Sequence, residues 1–289
     1  MNKRDVLDSR KLKKAKLRKK EVLGKRIILI LIIFVFCLIA LVFVSRSEKL
    51  SINSIEITGI NPIDGEILKN KVKDILSEKY LLLFPKRSII FLPRKNIIEK
   101  VKSEYLIYKD IDINLDGLNT LKINITERYA QYLWCGNNFI LSQEKKTCYF
   151  MDEEGYIYSS APYFSGDVYF KFFGGISSDY ESPIGHTFLK EKIKEIDKFR
   201  KMLKSININP VSLFVKEDGD MEFYLLSLSS SIQLPPRIIF NIDSGYEKLT
   251  ENLEIVFGSE QFLNEYENSQ KELEYIDLRF GNKVYYRFR

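Results

Sequence analysis

The chain has 289 residues, 45% of them apolar, with 17 Tyr, 20 Phe and a formal net charge of +6. That length suits about two domains with packed cores, and the composition excludes a disordered or fibrous protein. The charge does not describe a nucleic-acid-binding face: residues 1–26 hold twelve Lys or Arg against Asp5, Asp8 and Glu21, a local +9 that leaves −3 for the rest.

Ile27 to Val44 is an apolar run of 18 residues without charge, Gly or Pro. As a helix it spans roughly 27 Å, close to the hydrocarbon thickness of a bilayer. Ser45 and Ser47 resemble a small-x-small cleavage site, but the basic region is long and the apolar core exceeds that of a signal peptide, which favours an uncut anchor. The expected organisation is a basic tail over 1–26 touching anionic lipid and a transmembrane helix over 27–45. The excess of positive charge places the tail in the cytoplasm and the body outside a single-pass membrane protein. Of three cysteines, Cys37 lies in the anchor; Cys135 and Cys148 fall in the exported part, where a bridge is permitted but spacing alone leaves it open.

After the anchor, Leu50 to Ile60 alternates apolar and polar residues, as a strand does, and ends in Gly59 and Asn61-Pro62. Asp64 is placed to cap a helix carrying Ile67, Leu68, Val72, Ile75 and Leu76. A second short helix is expected over Asn96 to Tyr105, then a hairpin of Ile111–Leu115 and Leu121–Ile125 around Asp116-Gly117. Strand, helix, helix, strand, strand makes a compact module over 46–128. From 129 to 289 the texture changes to short Tyr- and Phe-rich runs at 156–158, 168–173, 211–215, 222–226 and 237–241, interrupted by two helices. One helix carries Leu189, Ile193, Ile196, Phe199, Leu203 and Ile206, the other Tyr246, Leu249, Leu253, Val256 and Phe257. The expected class is α+β: an anchor helix, a small β-α-α-β-β domain and a mostly antiparallel β-domain with flanking helices. The chain closes on a hairpin, Ile276 to Phe280 and Val284 to Phe288 around Gly281-Asn282.

Chemistry-bearing patterns are weak. His186, the single histidine, has no second metal-ligating or catalytic residue near it in sequence. Ser142-Gln143-Glu144-Lys145 matches the Ser-x-x-Lys of penicillin-binding enzymes but lacks the companion Ser-Asp-Asn and Lys-Thr-Gly. Asp112 to Gly117 imitates the start of a calcium loop, yet Ile123 stands where the bidentate acid is required. No catalytic, cofactor-binding or metal-binding residue is assigned, and no small-molecule substrate is expected. The aromatic residues are read as core rather than as a sugar platform.

The order of basic tail, single anchor, Ile55-Glu56-Ile57-Thr58-Gly59, two helices and Leu121 to Arg128 resembles the bacterial division proteins FtsQ and DivIB. Residues that carry the likeness are Glu127 and Arg128 at the end of the first module, Asp152 and Gly155 in an Asp-x-x-Gly strand pair, and Asp277, Leu278 and Arg279 in a closing signature. The Cys135/Cys148 pair, the Pro-flanked stretch Leu81 to Pro93 and the polar segment Ser259 to Lys271 depart from the family pattern. The resemblance implies a POTRA-type first domain and a non-enzymatic scaffold in the cytoplasmic membrane at the septum. Its implied partners are FtsB/DivIC-like and FtsL-like proteins and, through them, septal peptidoglycan synthases. The C-terminal strand, Lys283, Val284, Tyr285, Tyr286, Arg287 and Phe288, is the expected binding edge, and its basic side chains favour an acidic partner strand. Two other readings remain: a POTRA-bearing transport or secretion component, and an anchored cell-wall enzyme.

Overall fold

The computed structural model describes residues 9–139, 147–164, 166–176, 182–226, 234–268 and 272–289. The chain separates into two compact units, Met1–Glu127 and Arg128–Arg289. The class is α+β, with an apolar N-terminal helix and a large mixed sheet.

The first unit opens with α1 (Ser9–Ser45), which begins well before the expected residue 27. Lys, Arg, Leu and Ala favour helix and no Pro intervenes, so the basic segment continues the apolar one. Val22–Ser45 is long and apolar enough to cross a membrane, and its apolar stretch is not buried in protein.

A short 3-10 turn, Glu48–Leu50, leads to β1 (Ser54–Thr58) and α2 (Pro62–Ser77). The helix is capped by Asn61, whose side chain accepts from the Ile63 N–H, and Pro62 opens its first turn. Asp64, the expected cap, lies inside that turn. Next come a small hairpin, β2 (Lys79–Tyr80) and β3 (Phe84–Pro85), then α3 (Arg94–Glu104), β4 (Tyr108–Asp116) and β5 (Thr120–Glu127).

β5 is central in the sheet order β1-β5-β4, parallel to β1 and antiparallel to β4. Alternation puts Ile55, Ile111, Ile113, Leu121, Ile123 and Ile125 on one buried face, where Leu68, Val72 and Ile75 of α2 and Ile97 and Val101 of α3 cover them. Gly59 turns the chain out of β1 at φ +92, and a Cβ there would stand 1.9 Å from the Ile125 carbonyl oxygen.

The second unit is a nine-stranded sheet. In chain order its elements are β6 (Tyr132–Trp134), β7 (Tyr149–Met151), β8 (Ile157–Ser160), β9 (Phe170–Phe173), α4 (Ile193–Ser205), β10 (Pro210–Val215) and β11 (Asp220–Leu225). There follow β12 (Arg237–Asn241), α5 (Tyr246–Phe257), α6 (Glu260–Asn268), β13 (Leu273–Phe280) and β14 (Lys283–Phe288). The strand order is β14-β13-β12-β11-β10-β9-β6-β7-β8.

The sheet is mixed: five of its eight pairings are antiparallel, in line with the expectation, while β12 with β13, β9 with β10 and β6 with β9 are parallel neighbours. Helices α4 and α5–α6 connect the first two of these pairs as crossovers, and a crossover returns a strand parallel to its predecessor. Helix α6 falls in the segment expected to be merely polar; it buries Phe262 completely.

The main core lies between the sheet and α4, α5 and α6: Ile196, Phe199 and Leu203 of α4 and Leu249 and Leu253 of α5 meet Phe172, Leu213, Phe223, Phe240 and Ile276. A smaller cluster forms on the opposite sheet face around Leu133, Cys135 and Phe173. It contains the Cys135–Cys148 disulfide, which closes a loop of sequence separation 13 and contributes about 3 kcal/mol by loop entropy.

Gly59→Ala meets both a backbone clash and a left-handed φ, and is expected to cost ~2 kcal/mol or more. Gly117→Ala, also at positive φ but with nothing within 4 Å of the added Cβ, should cost only about 1 kcal/mol. Thermal midpoints of the two variants check the order; equal losses would contradict it.

Candidate functional site

Strand β14 pairs on one side with β13, with Tyr275 opposite Arg287, Ile276 opposite Tyr286 and Asp277 opposite Tyr285. No described strand lies on its other side. Glu272 and Arg289 exchange both backbone hydrogen bonds, at 3.1 and 2.9 Å. Alternation from that pair turns the N–H and C=O of Arg287 and Tyr285 toward β13 and those of Phe288, Tyr286 and Val284 toward the open edge. A chain laid along β14 therefore meets three outward residues whose side chains point into the protein.

Those side chains fix the strand. Phe262 of α6 packs edge-on against Tyr286 at 5.1 Å and, tilted, against Phe288 at 5.5 Å. Val284 joins the same core, and Asn252 of α5 donates to the Gly281 carbonyl at 3.0 Å. The other face carries exposed Lys283, Tyr285 and Arg287, with Tyr285 edge-on to Phe280 at 5.1 Å. The expected basic row is partly matched by two acids: Arg287 Nε lies 3.1 Å from Glu274 of β13, and Arg289 Nε 4.0 Å from Glu272 just before it. β13 begins at Leu273, three residues before the expected Ile276, and the alternation of Glu272 and Glu274 with Leu273 and Tyr275 is the signal for these acids.

The remaining singled-out residues fall into two groups within the second unit, apart from Glu127, which closes β5 opposite Tyr108 in the first. In one group Arg128 forms an ion pair with Asp152 and stacks 4.0 Å above the Tyr156 ring. Asp152 Oδ1 also accepts from the Glu154 and Tyr156 N–H groups, at 2.9 and 3.0 Å, folding the β7–β8 turn. Gly155 completes that turn at φ +81, and a Cβ there would meet the Phe188 carbonyl oxygen at 2.2 Å.

The second group ties the closing hairpin to the sheet. Arg279 donates to Asp277 on its own strand at 2.9 and 2.6 Å and to Asp220 on β11, which Asn241 of β12 also contacts at 3.2 Å. Burial pushes the Asp220 carboxyl up, but the bonds from Asn241 and Arg279 outweigh it and hold the group below the ordinary carboxylate value. Leu278 is core. Asp152 and Asp277 are buried, Arg128 and Asp220 half-buried and Arg279 exposed, and both groups spend their hydrogen bonds on the fold, whereas β14 turns Lys283, Tyr285 and Arg287 to solvent.

Among the described residues no three His, Cys, Asp or Glu groups come together as a metal site. His186 lies in a turn, its carbonyl accepting from the Ile157 N–H. Ser142 and Lys145 lie outside the described residues. A groove between α4 and the start of α5, lined by Glu195, Lys198, Ser244, Tyr246, Glu247 and Glu251, is bridged by a Lys198–Glu247 pair at 3.1 Å. Comparison of the sequence with known protein families gives no match, and comparison with curated proteins gives none.

Because the Asp220 carboxyl is depressed on folding, its stabilisation is complete above the unfolded value of about 4 and is lost as pH falls through the folded one. Asp220→Asn should lower the thermal midpoint at neutral pH and flatten its decline between roughly pH 5 and pH 2. Parallel melting-versus-pH curves for the two proteins would refute the assignment.

Proposed function

We propose that this protein is a non-enzymatic scaffold of the bacterial division machinery, of the FtsQ/DivIB type. In this reading the apolar part of α1 crosses the cytoplasmic membrane once, with the basic residues that precede it inside and everything after Ser45, the rest of the first unit and the second unit, outside, at the septum. The positive-inside rule supports that orientation, and so does the Cys135–Cys148 disulfide, which belongs in an oxidising compartment. The order β1-α2-α3-β4-β5, interrupted only by the separate β2–β3 hairpin, supports a POTRA-type domain, although its sheet and helices alone describe only an α+β module.

The observation that carries the functional reading is the uncovered outer side of β14. An extended segment of an FtsB/DivIC-like partner pairs with the outward N–H and C=O groups of Val284, Tyr286 and Phe288, and FtsL-like proteins and septal peptidoglycan synthases assemble through it. Main-chain pairing supplies affinity. The face of Lys283, Tyr285 and Arg287 supplies selectivity, with Lys283 offering positive charge and Arg287 an exposed guanidinium already paired to Glu274.

Proline at position 284 separates the edge from the fold. It removes an outward donor and crowds the open side, while the bonds to β13 are made by the backbones of Tyr285 and Arg287. Val284→Pro in the full chain should reduce co-purification of FtsB/DivIC-like and FtsL-like proteins about tenfold or more with little change in thermal midpoint, and Val284→Thr should retain it. Undiminished capture by Val284→Pro and by a chain lacking residues 283–289 would move the interface elsewhere.

A further inference from the structure

The hairpin formed by β2 and β3 has no role in the scaffold reading. Its tip is Leu81, Leu82 and Leu83, and the first two are each 84% exposed. Both also hold left-handed backbone, at φ 48 and 63, which branched L residues adopt rarely. Tyr80 and Ile90 add exposed apolar surface, and Phe84 packs against Phe91 with tilted rings at 4.8 Å. Water is a poor environment for such a tip.

The surroundings of the hairpin indicate what covers it. Its base is tied to the chain that leaves α1: the Ile52 N–H donates to the Arg87 carbonyl at 2.8 Å, and the Ile89 N–H to the Leu50 carbonyl at 3.0 Å. Leu50 follows the last residue of α1 by only five positions, at most ~18 Å of extended chain. Strand β3 lies against α1 itself, whose terminal Ser45 is fully buried. Within residues 78–91 the hairpin segment itself carries Lys79, Lys86 and Arg87 against a single acid, Glu78, which pairs with Lys86. An apolar finger collared by cations beside the outer end of a membrane-spanning helix matches the chemistry of a bilayer interface with anionic headgroups.

We propose that Leu81, Leu82 and Leu83 insert into the outer surface of the membrane beside α1, giving the first unit a second point of attachment. The occupant is the lipid bilayer. The inference rests on α1 spanning the membrane but not on the division reading.

The test uses the full chain in vesicles of phosphatidylethanolamine and phosphatidylglycerol, at less than one chain per vesicle. A polarity-sensitive fluorophore is placed by Leu82→Cys, or by Ile63→Cys at the exposed start of α2, each in a Cys37→Ser background. A third sample labels native Cys37, the free cysteine in α1. Acyl chains brominated near the headgroup should quench position 82 at least ~2-fold more than position 63, with a blue-shifted emission, and chains brominated deeper should quench Cys37. Labelling Leu81→Cys should repeat the result. Quenching at Cys37 with position 82 no more quenched than position 63 would overturn the proposal while sparing the anchor. A blue shift at position 82 without lipid quenching would assign the tip to protein instead and also overturn it. An unquenched Cys37 would overturn the anchor reading, and the proposal with it.

Discussion

The geometry of the second unit depends on two helical crossovers that lie against one face of its sheet. Because α4 joins β9 to β10 and α5–α6 join β12 to β13, each pair is parallel and the helices share a single core with the sheet. The last crossover deposits β13 beyond β12, and the tight turn at Gly281, φ +67, allows β14 only the next place outward. An open edge is thus a consequence of topology. Phe262 then keeps it from fraying, since its ring covers Tyr286 and Phe288 while leaving the backbone side of β14 uncovered.

The charged residues divide between holding the fold and meeting solvent. Asp152 with Arg128, and Asp277 with Arg279 and Asp220, satisfy buried carboxylates with guanidinium and backbone donors. Removing one partner from such a set leaves a buried charge unmatched, so these residues fix turn and register more than they add net stability. Exposed pairs such as Arg287–Glu274 contribute little to stability but set the charge an incoming strand would encounter.

Hairpins were the most legible part of the chain. Asp116-Gly117 and Gly281-Asn282 sit between alternating runs, and both produce the expected antiparallel pairs. The helices of the first unit follow from apolar spacing, but Asn61-Pro62 has the signature of a turn as well as of a cap and first turn, so Asp64 is the more visible cap in sequence while Asn61 serves as one. Parallel pairings such as β6 with β9 have no local signature, since the pairing is decided by distant core residues. Helix α6 was hidden because Phe262 and Tyr266 are its main aromatic residues in a segment rich in Glu, Asn and Gln. The β2–β3 hairpin was hidden for the opposite reason: its leucines read as core, yet they face outward. Of the candidate site, the edge strand and its alternating faces were readable; the acids in and just before β13 that answer its arginines, and the helix that braces it, were not.

The central claim is that one side of β14 is bonded and the other is free. Native-state hydrogen exchange resolved to single amides over residues 283–289 tests it without any partner. The account predicts slow exchange at Tyr285 and Arg287 and fast exchange at Val284, Tyr286 and Phe288. Uniform protection along the strand would mean that its outer edge is already covered and would contradict the account.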